Sequence, residues 1–325
     1  MDFQSSLTQQ IQRVSVRAIK VIFELKANTT GKMPFYSGSI WRGMWGREIR
    51  EKSCLFPKED CKKCLYVKQC AYGSLFEPTS EIFAPQMQEN RKFLSPPMIV
   101  QAPFFKDGIW REGETKQLEL ILFGDAFKYI HYFIDSLKDI GIYGVGPNRI
   151  SFMIESISQK LRNGQIKPLE QEAFVLDDLF YEDWEWELPE RSVKSILLHF
   201  ITPLRLQKKG NILRKFELEE FLLNCQRRLE YVTALYGKAV KINKEELLEL
   251  AQRISVVHEE ISWTDWERYS SKQKRTMNLG GIMGTVVLSG NITPILPMLY
   301  SCSFFHIGKQ TVFGLGKFEV YQKFI

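Results

Sequence analysis

The chain has 325 residues, 44% of them apolar, and its 44 lysines and arginines outnumber its 38 acids for a net charge of +6. That length and apolar share predict a globular protein of about two domains. No apolar run approaches the roughly 20 residues of a membrane helix, the first twelve residues lack a signal-peptide core, and four of the six cysteines crowd into residues 54–70, so a cytoplasmic protein with no membrane partner and no distributed disulfide framework is expected.

Residues 17–27 alternate Val, Ile and Phe with polar side chains and read as a first strand, broken at residues 31–34. Residues 37–50 place Ile40, Met44, Trp45 and Ile49 near helical spacing behind Ser37 as N-cap, with Arg42 and Arg47 off the apolar stripe. The glycines of that helix point to close packing. Next come Cys54, Cys61, Cys64 and Cys70, with intervals of six, two and five residues. A two-residue spacer lets Cys61 and Cys64 hold one metal from a tight knuckle, and the flanking cysteines complete a tetrahedral thiolate set. Structural zinc is the first choice, an iron–sulfur cluster the second, because spacing does not separate them, and free buried thiols are the remaining reading.

Residues 96–105 and 115–123 read as two more strands, residues 126–140 as an apolar helix carrying His131, and residues 150–157 as a strand. Strand, helix, two strands, helix, strand is the split βαβ, or ferredoxin-like, order. The first domain is therefore expected over residues 1–158 with a four-cysteine insertion at about 52–78, followed by an acidic, aromatic extension and linker over 159–192.

The second domain, residues 193–325, repeats the plan. A strand over 193–201 carries His199, and residues 205–215 hold Arg205, Lys208, Lys209, Arg214 and Lys215 without an acid. Helices follow over 218–236, closed by Gly237, and over 244–257, with His258 at the end. Residues 266–275 are aromatic and basic, residues 280–288 a strand, and residues 295–305 an apolar helix. The expected class is α+β, with two tandem βαββαβ domains. The segregated basic stretches would attract a polyanion.

Between that last helix and a final strand stands His306-Ile-Gly-Lys-Gln-Thr-Val-Phe-Gly-Leu-Gly316-Lys317. Gly308, Gly314 and Gly316 beside Lys309, Lys317 and His306 are expected to bring main-chain amides and cations to one phosphate. The stretch is not a P-loop, since Gln310 follows Lys309 where Ser or Thr is required, and not a dinucleotide fingerprint, since the glycines precede a strand. A phosphodiester polymer remains. The pattern aromatic-Gly-aliphatic-Gly occurs at 143–146 and again at 313–316, each time between a helix and a strand, which suggests an internal duplication and brings in Arg149.

Thr202-Pro-Leu-Arg205, Arg227-Arg228, Trp266-Glu-Arg-Tyr-Ser-Ser-Lys-Gln273, Leu279-Gly-Gly-Ile-Met-Gly284 and the 306–316 loop together make the chain resemble the CRISPR-associated endoribonucleases that process precursor CRISPR RNA, the sixth Cas protein, of the repeat-associated mysterious protein (RAMP) superfamily. The first half resembles them more loosely, through the Arg42 helix and the cysteine group ending in Cys70-Ala-Tyr72-Gly-Ser-Leu-Phe76-Glu77. The resemblance implies tandem ferredoxin-like (RRM-like) domains and metal-independent cutting of repeat RNA, with products ending in a 2′,3′-cyclic phosphate. It implies no catalytic cofactor, CRISPR repeat RNA or crRNA as partner and, in some members, other Cas proteins of an effector complex.

Internal attack by a 2′-OH needs a base, an acid for the leaving 5′-oxygen and a cation for the added phosphate charge. The family's catalytic histidine or tyrosine often lies on or near the first helix, and this chain has no histidine before His131. His306 as acid or base and Lys309 as charge stabiliser are expected, with Tyr36 and Arg42 as secondary candidates. His131 and His199 read as packed residues and His258 as a cap or solvent residue. Predicted RNA contacts are Arg149, Arg205, Lys208, Lys209, Arg268, Lys272, Lys274, Arg275, Gly308, Gly314, Gly316 and Lys317, with Tyr269 as a stacking platform. The alternative reading is a catalytically silent crRNA-binding subunit of an effector complex, which the absence of an early histidine favours.

Overall fold

A computed structural model describes residues 6–84, 94–169, 179–270 and 275–322. The first half of the chain runs α1 (Ser6–Gln12), β1 (Val16–Ala27), β2 (Gly31–Lys32), α2 (Gly38–Ser53), α3 (Ala71–Phe76), α4 (Ser80–Phe83), β3 (Met98–Gln101), β4 (Ile109–Trp110), β5 (Thr115–Phe123), α5 (Ile130–Tyr143), β6 (Phe152–Lys160), β7 (Ile166–Leu169) and β8 (Glu182–Trp184). The second half runs β9 (Ser195–Leu204), β10 (Gln207–Lys208), β11 (Asn211–Ile212), α6 (Leu218–Tyr236), α7 (Lys244–Ala251), β12 (Ile254–Thr264), β13 (Glu267–Ser270), β14 (Arg275–Asn278), β15 (Gly281–Gly290), α8 (Leu296–Phe305) and β16 (Phe318–Gln322). The chain divides into two compact units, Arg17–Glu182 on the one hand and Asp183–Ile325 with Met1–Val16 on the other. Among the described residues no helix is long and apolar enough to cross a membrane.

In the unit Arg17–Glu182 the sheet follows the path β3-β5-β1-β6-β7, whose pairings are all antiparallel; its first four are the second, third, first and fourth strands of a βαββαβ unit, and β7 extends them. β1 is the central strand, and Val21 pairs with Leu120 on one side and Gln159 on the other. The added strand changes the reading of residues 159–192. β6 runs on to Lys160, turns at Gly164 (φ 88°) and returns as β7. Gln159 is buried at this edge and bonds the main chain of Phe180 both ways, at 2.6 and 3.0 Å.

α2 packs on α5 and buries Trp41, Trp45 and Ile49. The Trp45 indole donates to the carbonyl of Phe133 at 3.0 Å and its ring meets that of Phe133 edge-on at 5.3 Å. Ser37 is not a side-chain cap. Its hydroxyl accepts the indole N–H of Trp41 instead, 3.0 Å away. Gly46 lies against the Phe76 ring, where a Cβ would sit 3.2 Å from ring carbons, whereas Gly43 faces open space. His131, expected to be packed, is on the exposed side of α5.

In the other unit the order is β12-β15-β9-β16, again the second, third, first and fourth strands. The even-numbered residues Ile196, Leu198 and Phe200 of β9 are buried under α6 and α8, where Phe200, Phe221 and Phe318 interlock at centroid distances of 5.5–6.2 Å. The odd-numbered Leu197, His199 and Ile201 are half-buried on the opposite face. α1 belongs to this unit: Leu7 N–H donates to Glu246 at 2.9 Å, Asn243 N–H to the Gln10 side chain at 2.7 Å, and Leu7 and Ile11 are buried.

The helix expected over 244–257 stops at Ala251, and residues 254–264 are β12. The β-branched Val256, Val257 and Ile261 favour an extended edge strand, which β15 satisfies from Ile254↔Gly290 to Thr264↔Gly281. His258 is thus an exposed strand residue rather than a helix cap.

Candidate nucleic-acid interface

Three connections of the unit containing β9 meet at one end of its sheet. The hairpin β10–β11 follows β9, the hairpin β13–β14 stands between β12 and β15, and residues 306–317 lead into β16. The pairings Ile282↔Leu204, Thr264↔Gly281 and Phe318↔Phe200 bring their bases side by side. A two-residue turn, Lys209 (φ 46°) and Gly210 (φ 89°), reverses the first hairpin with the two positive φ values that such turns favour, and it leaves Lys209 exposed. The second hairpin pairs Arg268 with Met277, Tyr269 with Thr276 and Ser270 with Arg275. Its tip, with Lys272 and Lys274, lies outside the described residues.

Arg205 ties these bases together. Its guanidinium donates to the carbonyl of Gly280, at the foot of the second hairpin, and its own carbonyl accepts the N–H of Lys309 at 3.1 Å. Desolvation lowers its pKa, partly offset by Asp265. Arg205 is therefore a positioning residue rather than the phosphate contact expected from sequence. Lys208 is also engaged, at 2.6 Å from Glu217 and 3.6 Å from Glu220. Arg214 is exposed and lies over the Trp263 ring at 4.8 Å, a pairing that an arginine in a basic run and a distant tryptophan do not announce.

The glycine loop is packed, not open. Gly316 N–H donates to the Pro203 carbonyl at 3.1 Å, Gly314 N–H to the Thr311 carbonyl at 2.8 Å, and the Thr202 hydroxyl bridges the Gly314 carbonyl and the Lys317 N–H, both at 2.9 Å. A Cβ on Gly308 would stand 2.6 Å from the Arg205 carbonyl, and one on Gly316 would overlap the carbonyl of Ile307. Gly314 and Gly316 have φ of 80° and 72°. These glycines are required by left-handed backbone and close main-chain approach, and the amides of Gly314 and Gly316 serve the fold rather than an anion. The loop presents Lys309, exposed, and Lys317, half-buried.

His306 is completely buried. Its Nδ1 is 3.2 Å from the Leu315 carbonyl, and its own carbonyl accepts from Arg228 Nε at 3.0 Å. Arg228 also takes the Phe305 carbonyl, at 2.8 and 3.1 Å, supplying donors to the end of α8. The expected acid or base is thus a residue that organises the loop. Sequence inspection missed this part for Arg228, although a helix end followed by a loop has carbonyls in need of donors. Of the other histidines, His199 stands nearest this end, on the sheet face away from the helices, between Thr285 and Glu319 by register and two positions from Ile201, whose N–H donates to the Lys317 carbonyl at 3.0 Å.

In the unit Arg17–Glu182 the corresponding loop, residues 144–150, joins α5 to β6. Gly144 and Gly146 have φ of 85° and 75°, close to their counterparts, and Val145 and Ile150 close it with bonds of 2.9 and 2.8 Å. Arg149 (φ 49°) is exposed on it. Both secondary candidates are engaged in packing contacts. The Arg42 guanidinium lies 4.9 Å from the Phe76 ring centre and donates to the Phe76 carbonyl at 3.4 Å. Tyr36 packs on Phe104, and desolvation holds its pKa well above that of an ordinary phenol despite a main-chain bond at Ala102, which makes it a poor base.

Cys54, Cys61, Cys64 and Cys70 are unpaired, half-buried thiols, and among the described residues no three His, Cys, Asp or Glu side chains are gathered for a metal ion.

Residues 198–318 match the family model of the CRISPR-associated endoribonuclease Cas6, and residues 16–177 match a model described as an N-terminal domain. An uncharacterized protein of Archaeoglobus fulgidus is 24% identical over 294 residues, 89% of this chain and 92% of that protein. Thermus thermophilus Cas6 superposes with a TM-score of 0.51 at 13% identity, covering 94% of this chain and 98% of that one. A Cas6 product complex gives 0.50 at 14% identity over 93% and 98%. A chain of a partial Cas6-RT-Cas1–Cas2 complex gives 0.58 at 14% identity, where 96% of this chain spans 47% of that one. At these identities the structural likeness is one of fold.

Proposed function

We propose that the chain is a Cas6-type CRISPR-associated endoribonuclease, on the match of residues 198–318 to that family's model, and that it binds repeat RNA in a precursor CRISPR transcript and cuts it at one phosphodiester. The observation that supports this reading is the meeting of two lysine- and arginine-bearing hairpins with the Lys309 loop at one end of a single sheet. Exposed Lys209, Arg214 and Lys309 hold the ribose-phosphate strand there. Attachment to further Cas proteins belongs to the same proposal, on the likeness to the chain of the Cas6-RT-Cas1–Cas2 complex.

The reaction we assign is internal. The 2′-oxygen attacks phosphorus as its proton passes to a base, the P–O5′ bond breaks, and the leaving 5′-oxygen takes a proton from an acid, leaving a 2′,3′-cyclic phosphate. Lys309 and Lys317 stabilise the extra phosphate charge, and the scheme requires no metal ion. Because His306 is enclosed, His199, half-buried on the sheet face away from the helices, is the histidine we assign to proton transfer.

Labelled repeat RNA incubated with the protein in EDTA tests the reading. Cleavage blocked by a 2′-deoxy sugar at the scissile position, and reduced about 10²-fold or more in His199→Ala with binding retained, is expected. Cutting that proceeds past the 2′-deoxy sugar would sink the mechanism. Tight binding with no cut by the wild type would favour the second reading, a silent crRNA-binding subunit, which the burial of His306 and the absence of a histidine before His131 support.

A further inference from the structure

We propose that Cys54, Cys61, Cys64 and Cys70 bind one zinc ion as four thiolates, and that the metal assembles its own site by drawing the 61–64 turn onto two helix ends. Those ends are already joined. Cys54 follows α2, with its N–H on the Arg50 carbonyl at 2.9 Å, and Cys70 precedes α3, with its Sγ 3.9 Å from the Ser53 carbonyl. The Ser53 hydroxyl accepts the Tyr72 N–H at 3.3 Å, fastening one helix end to the other. Cys61 and Cys64 sit on a tight turn, the N–H of Cys64 being 3.4 Å from the Cys61 carbonyl. The Arg50 guanidinium donates to the Pro57 carbonyl at 3.0 Å and lies within electrostatic range of both Cys54 and Cys61, so these sulfurs share a neighbourhood.

The stretch between the helices needs such a staple. Residues 54–70 hold neither helix nor strand, and Val67 alone among them is buried. Leu65 is 91% exposed and Leu55 78%, and Phe56 and Tyr66 stack on each other at 5.7 Å while remaining 41% and 54% exposed. A segment of this length without regular structure or a core seldom holds one conformation unaided, and metal–thiolate bonds provide folding free energy directly. Four thiolates on a divalent ion leave a net charge of −2, which Arg50 and the exposed Lys58, Lys62, Lys63 and Lys68 complement. With all four positions taken by protein the ion is structural, and it has no place for a substrate oxygen.

The test is metal content and the spectrum of the full-length protein, independent of any cleavage. Purified wild type is expected to hold one equivalent of zinc, and cobalt(II) added after zinc removal is expected to give the strong visible bands of a tetrahedral thiolate site. The double variant Cys61→Ser, Cys64→Ser should lower metal content by roughly tenfold or more. Should that variant fail to fold, the wild-type zinc count and cobalt spectrum decide alone. A wild type without stoichiometric zinc and with no thiolate band on cobalt addition would overturn the proposal, as would iron with inorganic sulfide in place of zinc.

Discussion

Nδ1 of His306 lies 3.2 Å from the carbonyl oxygen of Leu315, nine residues further on, and both residues are fully buried. The contact joins the entrance of the glycine loop to its exit, beside the Arg228 guanidinium that holds the main chain of Phe305 and His306.

From this, His306→Ala should cost about 1–3 kcal/mol of stability, since it leaves a buried carbonyl without its partner. His306→Asn, which tolerates the positive φ of 50°, should cost less. Urea unfolding of the two variants measures both. Loss of cleavage in His306→Asn with unfolding midpoint and RNA affinity at wild-type values would instead restore His306 to the chemistry.

Two glycines are expected to respond to alanine in opposite directions. Gly43→Ala, mid-helix and facing open space, should gain about 0.5–1 kcal/mol. Gly316→Ala meets both a φ of 72° and the Ile307 carbonyl, and it should lose more than the roughly 1–2 kcal/mol of the left-handed backbone alone. Thermal unfolding compares them, and equal melting temperatures would contradict the loop geometry.

For RNA binding, Lys209→Ala and Lys309→Ala should each weaken affinity with little regard to sequence and reduce the salt slope by about 1. Lys208→Ala should do less, because its ammonium is already paired with Glu217. Arg205→Ala should lower stability as well as affinity, through the lost bond to Gly280. Filter binding across a salt series distinguishes the three behaviours. An unchanged slope in Lys309→Ala would remove the loop from the interface.

Tyr36 keeps its proton to higher pH in the folded chain than in the unfolded one, chiefly because its phenol is desolvated. The folded state therefore binds more protons once the pH passes about 10, and stability is full below that value and falls above it. Tyr236, raised by the same cause, adds to the fall. Tyr36→Phe should make the alkaline decline shallower, by at most about 1.4 kcal/mol per pH unit. Denaturant midpoints between pH 9 and pH 11 (about one unit either side of the free phenol value) read this directly.

The order of elements was legible because each core strand carries its own apolar pattern and each duplicated loop its own glycines. Tyr143-Gly-Val-Gly146 and Phe313-Gly-Leu-Gly316 do occupy the same place in two βαββαβ units. The purpose of those glycines was not legible. Whether a left-handed residue faces a ligand or a neighbouring carbonyl depends on Pro203 and Arg205, more than a hundred residues away in sequence. The same holds for His306, whose burial is set by tertiary partners. The end of α7 was misplaced because Leu247 and Leu250 keep helical spacing up to the point where Val256 and Val257 pass into an edge strand.

Since α1 packs with residues that follow Asp183, the polypeptide cannot finish folding in the order in which a ribosome delivers it. Residues 17–182 have their own sheet and helices on emergence, while Leu7 and Ile11 must wait for α7 and α8 to be synthesised before they leave water. A translation product halted near position 182 would keep that apolar turn uncovered, a natural handle for chaperones and a foreseeable source of aggregation in truncated clones.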